Sequence, residues 1–370
     1  MSPSSANITL TEKDYLNLAL KLARKGRFFT SPNPLCGAVL VKNGKIIGKG
    51  YHKRFGGPHA EILAIESVKE RDLLPGSTLY SLLEPCSHYG KTPPCAERII
   101  KEGIKEVVFA MEDPNPIIKG REVLEKAGIK VRSGIMEKEA KTINEWYIKY
   151  VKKKMPYVTL KSALTLDGKI ATKKGESKWL TEKKARNFSN LLRCEQDAVL
   201  VGIRTILRDD PKLTCRRRRK FLKRVVLDKR LRIPLTCQLL KEKGEIIIFT
   251  RRNSRENEKR KRLEELGVKV IPVPEENGLL AWSEILRELY QLGCAKVLIE
   301  GGAEVFSSAL QAGIVDRLFL FLAPKILGEG LSFTEKLSLG SLKEAIKLKE
   351  GKIKRIGEDF LFTAYVHRYY

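Results

Sequence analysis

The 370-residue chain lacks long apolar segments. No apolar run approaches the roughly 18 residues that a membrane-spanning helix needs, so no membrane span is expected. The first residues, MSPSSANITLTEKD, lack the basic start and apolar block of a signal peptide. Hydrophobic residues nevertheless make up 42% of the chain, too many for a disordered protein. We therefore expect a cytoplasmic protein of two or three domains.

The cysteines lack the pattern of a disulfide framework. There are seven of them, an odd number, and they are scattered over the whole chain. Small disulfide-stabilised domains instead carry an even number in a short sequence. We therefore expect some of these cysteines to serve a metal site or catalysis.

Acidic residues are too few to balance the basic ones. The formal net charge is +27, of which residues 1–150 carry +7 and residues 151–370 carry +20. Such a charge indicates either a nucleic acid or small anionic ligands such as phosphates. The alternative is a charged surface of thermophilic type, which the 31% of charged residues fits equally well.

Residues 11–135 are predicted to alternate between helices and strands. A helix is expected over 11–26, where Thr11 and Asp14 fit a capping box and Gly26 ends the helix. The segment CGAVLVKNGKIIGKGY is predicted as a hairpin around an Asn-Gly turn. Further helices are expected near His59, at PPCAERIIKEG and at 119–127, and strands at STLYSLL, KEVVFAM and IKVRSG. The pattern predicts a mainly parallel α/β sheet.

The segment NEWYIKYVKKKMPY, residues 144–157, is the predicted linker because it combines a charge run with a proline. Beyond it, strands are expected at YVTLKSAL, AVLVG, RVVLD, EIIIFT, KVIPV, KVLIEGG and RLFLFLAPKIL. Helices are expected near 181–194, 255–267, 282–292 and 303–312. The predicted domains are 1–148 and 149–370, and both are α/β.

Two short segments of the first half carry metal-binding residue types. GPHAE places His59 two residues before Glu61, and LEPCSHYGKTPPC places Cys86 and Cys95 after prolines. A catalytic zinc site takes three protein ligands and one water, and the histidine and the two cysteines supply the three ligands. Glu61 is not needed as a ligand and could shuttle protons. The competing interpretation is two structural cysteines and an unrelated histidine.

This arrangement resembles the zinc nucleobase deaminases, whose signature is H-x-E…P-C-x-x-C. Eight residues separate the cysteines here instead of two, and this longer insert resembles the deaminase half of the bifunctional riboflavin-biosynthesis deaminase–reductases. The flanking segments SPNPLCGAVLV, GYHKRFGGPHAE and AMEDPNP fit the same family. The resemblance implies a zinc cytidine-deaminase-like α/β/α fold, with Zn²⁺ on His59, Cys86 and Cys95 and with Glu61 as the catalytic acid and base.

The resemblance also implies a pocket for the pyrimidine and its ribose phosphate, lined by Asn33, His52, His88, Lys91, Asp113 and Asn115. Lys91 and His88 lie between the two cysteines, so we expect them beside the metal, where they could meet a phosphate. Taken alone, His52 would more often be an ordinary surface or packed histidine, and the DPNP segment would be a turn. Cys36 stands where we expect valine in this family and is interpreted as a small buried apolar substitute.

The second half resembles the family's reductase domain, which has a dihydrofolate-reductase-like α/β fold and uses NADPH. The resemblance is carried by VTLKSALTLDGKIAT, GESKWLTEKKAR, DAVLVGIRTILRDDPKLTCR, RVVLD and LIEGGAEV. No G-x-G-x-x-G occurs, so the sequence does not support a Rossmann fold. Gly301-Gly302 could present backbone N–H groups to a pyrophosphate, or could be a plain strand-to-helix turn.

Residue by residue, the resemblance implies substrate contacts from Ser177, Arg193, Leu213, Arg216 and Glu300, and NADPH contacts from Trp179, Thr205, Asp209 and Gly302. It places Lys161 near the reacting carbon as a catalytic residue. The alternative is a structural salt bridge between Lys161 and Glu300. Lys229 stands where the family usually has a serine, which puts that serine's contact with the cofactor in doubt, although a lysine could meet a phosphate. Residues Arg217 to Lys220 extend the basic run next to Arg216 and are interpreted as a solvated loop in preference to a specific phosphate site.

The predicted function is a two-step enzyme of riboflavin biosynthesis. It would deaminate 2,5-diamino-6-ribosylamino-4(3H)-pyrimidinone 5′-phosphate with zinc, and then reduce the ribosylamino chain to ribitylamino with NADPH. Its expected partners are these small phosphates, with no nucleic acid and no membrane, and it is expected to be a homo-oligomer, either a dimer or a tetramer.

Two other functions were weighed. The first is a nucleic-acid-editing deaminase with a basic RNA-binding extension, but the wide cysteine spacing and the lack of an RNA-binding motif argue against it. The second is a scaffold with a structural zinc, which would leave Glu61 and the open fourth zinc position unexplained.

Overall fold

A computed structural model describes residues 10–215, 222–252 and 257–370. The chain divides into two compact units, and the division falls between Lys153 and Lys154. Among the described residues, no helix combines the length and the apolar character needed to cross a membrane. The basic run from Arg216 to Lys220 lies outside the described residues.

The first unit is built on a five-stranded sheet with the order β2-β1-β3-β4-β5. Its strands are β1 (Gly37–Lys42), β2 (Lys45–Tyr51), β3 (Thr78–Leu83), β4 (Glu106–Met111) and β5 (Lys130–Ser133). Its helices are α1 (Glu12–Ala23), α2 (Ala60–Glu66), α3 (Cys95–Lys101), α4 (Gly120–Lys126), α5 (Glu137–Ile143) and α6 (Glu145–Lys153).

The predicted mainly parallel sheet is found, but one of its five strands runs against the other four. Strands β3, β4 and β5 are parallel, but β1 is antiparallel to both β2 and β3. The predicted hairpin is the reason, because Asn43 and Gly44 take φ values of 50° and 72° and turn the chain back on itself. The chain then crosses over β1 through α2, so β2 and β3 run in the same direction on either side of it.

Helix α1 begins with the predicted capping box. The Thr11 hydroxyl accepts a hydrogen bond from the Asp14 N–H, and the Thr11 N–H donates to the Asp14 carboxylate at 2.9 Å. The helix ends at Ala23, and Gly26 closes a short 3₁₀ turn that follows instead of capping the helix itself. Glycine is required at this point because a Cβ atom would lie 2.4 Å from the backbone oxygen of His52.

The predicted linker at 144–157 contains the division between the two units, but it is helical over most of its length. Helix α6 buries Trp146, Tyr147 and Ile148 in the first unit. The lysines at its end suggested a solvated connection, but the three apolar and aromatic residues before them bind the helix to the core. The chain enters the second unit only after this helix.

The second unit is built on a nine-stranded sheet with two short additional ribbons. Its strands are β6 (Tyr157–Thr165), β7 (Lys169–Thr172), β8 (Ala198–Gly202), β9 (Lys223–Leu227), β10 (Ile246–Arg251), β11 (Val268–Val273), β12 (Glu275–Glu276), β13 (Leu279–Leu280), β14 (Lys296–Gly301), β15 (Arg317–Ala323), β16 (Gly330–Ser332), β17 (Lys349–Ile356) and β18 (Asp359–Tyr365). Its helices are α7 (Lys183–Cys194), α8 (Ile203–Asp209), α9 (Gln238–Lys241), α10 (Asn257–Glu265), α11 (Trp282–Gln291) and α12 (Ala303–Gln311).

The large sheet has the order β11-β10-β9-β8-β14-β6-β15-β18-β17, and it is parallel up to β15. Strands β18 and β17 add an antiparallel edge. Neighbouring residues along its central strands, such as Val199 and Leu200 or Ile247 and Ile248, belong to different hydrophobic clusters. The sheet is therefore buried on both faces, as parallel sheets usually are.

One pair of cysteines forms a disulfide, which the sequence analysis did not predict. Cys194, the last residue of α7, is bonded to Cys215, 21 residues further along, and their Cα atoms lie 5.1 Å apart. Free cysteines in the described residues are Cys36, Cys86, Cys95, Cys237 and Cys294. A single bridge within a larger domain leaves no pattern of cysteine number or spacing, which is why the sequence did not reveal it.

Candidate active sites

The first candidate site is the triad His59, Cys86 and Cys95. His59 is the N-cap of α2, Cys86 follows β3, and Cys95 is the first residue of α3. The Nδ1 atom of His59 lies 3.4 Å from each of the two Sγ atoms, and all three donor atoms lie within 4.8 Å of one another. Zinc bonded tetrahedrally to one nitrogen and one sulfur separates those two atoms by about 3.5 Å. The three residues therefore fit zinc.

The surroundings of Cys86 favour the thiolate that a metal requires. A hydrogen bond from Cys95 and a further one from His59 lower the pKa of Cys86 to about 4. The backbone N–H of Cys95 also points to the Cys86 sulfur, at 3.3 Å. A thiol held in this way is deprotonated at neutral pH and can ligate a cation without first losing a proton.

Glu61 lies in the first turn of α2, beside the triad, and is buried. Its Oε1 accepts a hydrogen bond from the hydroxyl of Ser81 at 2.9 Å, while its Oε2 lies 3.7 Å from the Cys95 sulfur. Burial is the main reason that the pKa of Glu61 is raised. A carboxyl with a raised pKa beside a metal can accept a proton and release it again near neutral pH.

A cavity of about 200 Å³ opens above the triad. All six residues predicted to bind the pyrimidine and ribose phosphate line it, together with Glu61: Asn33, His52, His88, Lys91, Asp113 and Asn115. His52 lies in the segment before His59, and His88 and Lys91 lie between the two metal-binding cysteines. The other three residues come from elsewhere in the unit. The fold thus brings together residues that are spread over more than 80 positions of the sequence.

His52 is only 3% exposed, so it is a packed histidine that also faces the cavity. Its Nδ1 lies 3.0 Å from the Pro58 carbonyl oxygen and must donate to it. Its Nε2 is then an acceptor for the Asn33 amide, 3.3 Å away. Burial lowers the pKa of His52, which keeps the ring neutral and fixes this arrangement.

The second candidate site is a cavity of about 770 Å³ in the second unit. The predicted residues that line it are Lys161, Ser177, Thr205, Asp209, Glu300 and Gly302. Three other predicted residues, Arg193, Leu213 and Trp179, are not among the described residues that line it. Leu213 is buried elsewhere, and Trp179 is 65% exposed with its ring next to Arg186. Arg216 lies outside the described residues.

Glu300 is paired with Arg193. The Arg193 Nε atom lies 3.0 Å from Glu300 Oε1, and its Nη1 donates to the Thr214 carbonyl oxygen at 3.2 Å. Burial raises the pKa of Glu300, but the positive charges of Arg193 and Lys161 outweigh it, so the pKa is lowered overall. Glu300 is therefore ionised at neutral pH.

The alternative of a salt bridge between Lys161 and Glu300 was wrong. Among the described residues, the ion pair of Glu300 is the one with Arg193, and none joins Glu300 to Lys161. Burial lowers the pKa of Lys161, although Glu300 partly opposes the effect. Lys161 thus offers the cavity an amino group that is not tied up in an ion pair.

Gly301 and Gly302 form the turn between β14 and α12, at the edge of the same cavity. Gly302 takes a φ of 91°, which is strained for any residue with a side chain. A Cβ atom on Gly301 would lie 2.8 Å from the hydroxyl of Thr205. The turn is therefore packed closely against α8, where Thr205 and Asp209 reach the cavity.

Lys229 also lines this cavity, but it is engaged with protein groups. Its ammonium donates to the Gly278 carbonyl oxygen at 2.9 Å and forms an ion pair with Glu275. It therefore holds the segment around β12 and β13 against the end of β9.

Comparison with known proteins assigns both halves of the chain. Residues 10–111 match the family "Cytidine and deoxycytidylate deaminase zinc-binding region", and residues 156–362 match "RibD C-terminal domain". Riboflavin biosynthesis protein RibD of Aquifex aeolicus is 44% identical over 95% of this chain and 97% of its own length. RibD of Escherichia coli is 36% identical over 95% and 98%.

The chain belongs to the RibD family of bifunctional riboflavin-biosynthesis deaminase–reductases.

Solved structures of RibD proteins have the same fold over nearly the whole length. The Thermotoga maritima deaminase/reductase matches with a TM-score of 0.85 and 38% identity, covering 96% of this chain and 98% of the other. An Acinetobacter baumannii RibD matches with a TM-score of 0.87 and 34% identity, covering 97% and 99%. These findings confirm the α/β fold class, the zinc deaminase and NADPH reductase activities and the place in riboflavin biosynthesis. They do not support the nucleic-acid-editing alternative.

Three residues at the RibD deaminase site were not predicted from the sequence: Tyr147 and Glu84 line the cavity, and Ser81 contacts Glu61 without lining it. Tyr147 lies in the helix taken for a linker, and its hydroxyl donates to Asp113 at 3.0 Å. Glu84 accepts the backbone N–H groups of Asp113 and Arg121. Ser81 contacts Glu61 from the neighbouring strand. A serine in a strand otherwise composed of apolar residues was the available signal, whereas nothing in the sequence links Tyr147 to Asp113.

Proposed function

We propose that the two sites divide the work of the RibD reaction sequence between the two units. The first site would remove the amino group at C2 of 2,5-diamino-6-ribosylamino-4(3H)-pyrimidinone 5′-phosphate, and the second would reduce the sugar chain. The observation that carries this assignment is the triad of His59, Cys86 and Cys95 at the base of a cavity, with Glu61 beside it. A purely structural zinc would need neither the cavity nor the carboxylate.

In the first step, Glu61 would act as the proton carrier. Bound by the triad, zinc supplies a water of lowered pKa. Glu61 would accept a proton of the attacking water at Oε2, the oxygen that faces the triad. As the water oxygen bonds to C2 in place of the amino group, Glu61 would pass this proton to the departing nitrogen, which leaves as ammonia. The buried position of Glu61 keeps its carboxyl a strong enough base for the first transfer and a strong enough acid for the second.

The remaining residues of the first cavity would bind and orient the substrate. The neutral ring of His52 and the amide of Asn33 hold each other in place and present polar edges to the base. Lys91 and His88 come from the loop between the two cysteines and would take the phosphate. The Nδ1 atom of His88 is buried and has no hydrogen-bond partner among the described residues, which suits a group reserved for a ligand.

In the second step, Lys161 and Glu300 would hold the opened ribose. NADPH, when bound, supplies the hydride to C1′ of the sugar. Arg193 keeps Glu300 ionised, so the carboxylate can accept hydrogen bonds from sugar hydroxyls. Ser177 would contact the same substrate, and Thr205, Asp209 and the turn at Gly302 would bind the cofactor.

Four predicted contacts of the reductase site are not among the residues seen to line the cavity. Arg193 acts there through its ion pair with Glu300, while Leu213 and Trp179 stay predicted contacts that rest on the family resemblance. Arg216 lies outside the described residues and stays a predicted phosphate contact.

We further propose a cytoplasmic homo-oligomer that does not bind nucleic acid. Both substrates and NADPH carry phosphates, so the net charge of +27 has an explanation in small anionic ligands. The edge strand β17 is exposed along nearly its whole length and includes Ile353, which is 69% exposed, so it offers a surface to a second copy. The mass of the purified protein in solution, measured by light scattering, tests this proposal, and a monomer would contradict it.

The direct test of the proposed division is to supply the pyrimidine substrate without NADPH. Ammonia should be released and no reduced product should form, because the first site needs no cofactor other than zinc. If ammonia release requires NADPH, the two chemistries do not occupy separate sites.

A further inference from the structure

A buried polar pair packs against Glu61: Ser81, which does not line the cavity, and Cys36, which does. Ser81, on β3, is fully buried, and Cys36, just before β1, is 6% exposed. The Ser81 hydroxyl donates to Glu61 Oε1 at 2.9 Å. The Cys36 sulfur lies 3.3 Å from the Ser81 oxygen and 3.6 Å from the same Glu61 oxygen. Both side chains therefore converge on one oxygen of the carboxylate.

The interpretation of Cys36 as a simple apolar substitute is incomplete. Its thiol makes polar contacts with Ser81 and Glu61, which valine could not make. A serine hydroxyl inside a core costs free energy unless it is hydrogen-bonded, and here its partners are this thiol and this carboxylate. Ser81 and Cys36 thus contact each other, and both also contact the Glu61 carboxylate.

The two oxygens of Glu61 are in different situations as a result. Oε1 is held from behind by Ser81, with Cys36 close by. Oε2 faces the triad and lies 3.7 Å from the Cys95 sulfur. A glutamate side chain has three rotatable bonds, so a hydrogen bond to one oxygen decides where the other one points. Proton transfer requires Oε2 to stay within hydrogen-bond reach of the reacting water.

We propose that Ser81, supported by Cys36, is a positioning residue that fixes the Glu61 carboxylate so that Oε2 faces the metal-bound reactants. The proposal rests on the role of Glu61 in the proposed function. It assigns to β3 a part in the deamination that the cavity does not reveal, because Ser81 does not line it.

The test is Ser81→Ala in the full chain, assayed for ammonia release. We expect kcat to fall about 10- to 100-fold, the effect of losing a hydrogen bond to a charged group. KM should stay within about twofold, because Ser81 does not touch the substrate. Zinc content and the rate of reduction of supplied deaminated substrate should match the wild type, which shows that the protein is folded. Ser81→Thr, which keeps the hydroxyl, should recover most of kcat.

Ser77→Ala is the matched control. Ser77 is also fully buried in the first unit, but its hydroxyl donates to the Leu74 carbonyl oxygen. Its loss should leave the deamination kcat within about twofold. Cys36→Val should lower kcat less than Ser81→Ala does, because the Cys36 sulfur lies 3.6 Å from Glu61 Oε1 whereas the Ser81 hydroxyl donates to that oxygen at 2.9 Å.

Three results would overturn the proposal. One is a Ser81→Ala enzyme with unchanged kcat, and another is an equal loss of kcat in Ser77→Ala. The third is a loss of kcat accompanied by loss of zinc, which would indicate a structural role. Failure of the proposed function is recognised separately, because in that case Glu61→Gln would itself retain deamination.

Discussion

Two buried glutamates at the two sites differ in charge state because their neighbours differ. Burial is the main cause that raises the pKa of Glu61, whose hydrogen-bond donor is the neutral hydroxyl of Ser81. Glu300 is just as enclosed, yet Arg193 and Lys161 lower its pKa. The first carboxyl is therefore suited to exchanging protons and the second to remaining an anion, which corresponds to the separate chemistry of each site.

Glu61→Gln should abolish deamination and leave the reduction of supplied deaminated substrate near normal. The amide cannot accept the proton of the water, and Glu61 belongs to the unit that does not hold Lys161. Ammonia release and NADPH oxidation, measured on the same preparation, test this. Loss of both activities in a folded, zinc-containing protein would mean that the two sites are not independent.

Glu300→Gln should lower the reduction rate by orders of magnitude and should also destabilise the second unit by about 3–5 kcal/mol at neutral pH, because it leaves the partly buried Arg193 unpaired. The alternative, a structural salt bridge between Lys161 and Glu300, would have made stability depend on both of these residues. Unfolding by denaturant, followed in both Glu300→Gln and Lys161→Met, separates these cases. Only the first should show the large loss.

The pH dependence of this effect has a definite sign. The pKa of Glu300 is lower in the folded state than in the unfolded chain. Its contribution to stability is therefore fully present above the ordinary glutamate pKa, and it is lost as the pH falls below that value. The stability difference between the wild type and Glu300→Gln should shrink as the pH falls from 5 to 3, and a constant difference would contradict the ion pair.

Among the helices and strands, those that are determined by residues close together in the sequence were predicted correctly. The capping box of α1, the Asn-Gly hairpin and the apolar strands of the parallel sheet all follow from neighbouring residues. Strand β17 could not be recognised because nearly all its residues are exposed, so it has no alternating pattern. Helix α6 was missed because its lysine run masked an apolar face that only the core of the first unit explains.

The residues of the candidate sites also differ in whether the sequence alone could reveal them. The ligands His59, Cys86 and Cys95 were recognisable from residue type and spacing. The partner of Glu300 was not, because Arg193 lies more than 100 positions away on a helix. Tertiary packing decides such pairs, and a single sequence does not reveal it.

The bond between Cys194 and Cys215 ties the end of α7 to the segment that carries Thr214, the acceptor for Arg193. Closing a loop of this length in the unfolded chain stabilises a protein by about 3 kcal/mol. Wild-type protein treated with reductant should therefore unfold at a lower denaturant concentration, as should a Cys194→Ser/Cys215→Ser variant. Reductant should not change the double variant further, and a wild type that is insensitive to reductant would contradict the bridge.

A disulfide also bears on where and in what organism the protein works. Disulfides are rare in cytosolic proteins except in hyperthermophiles, where they are common. The high content of charged residues points in the same direction. The bridge and the cytoplasmic location proposed above are thus compatible for a thermophilic protein.

At the scale of the whole molecule, the account requires one zinc per chain, held by the first unit. Elemental analysis of the full chain should find about one zinc, and a Cys86→Ala/Cys95→Ala variant should contain almost none. A Cys237→Ala variant is the matched control, because Cys237 is a buried free cysteine of the second unit. Full zinc in the double variant would reject the ligand assignment.

One chain performs a hydrolytic deamination and then an NADPH-dependent reduction on the same substrate molecule. The most direct measurement follows ammonia and NADPH together after mixing the enzyme with the diamino pyrimidine substrate. The account predicts that ammonia appears first, that NADPH oxidation follows after a lag, and that the two reach a ratio of one to one. Ammonia release with no NADPH oxidation, or NADPH oxidation before any ammonia, would contradict it.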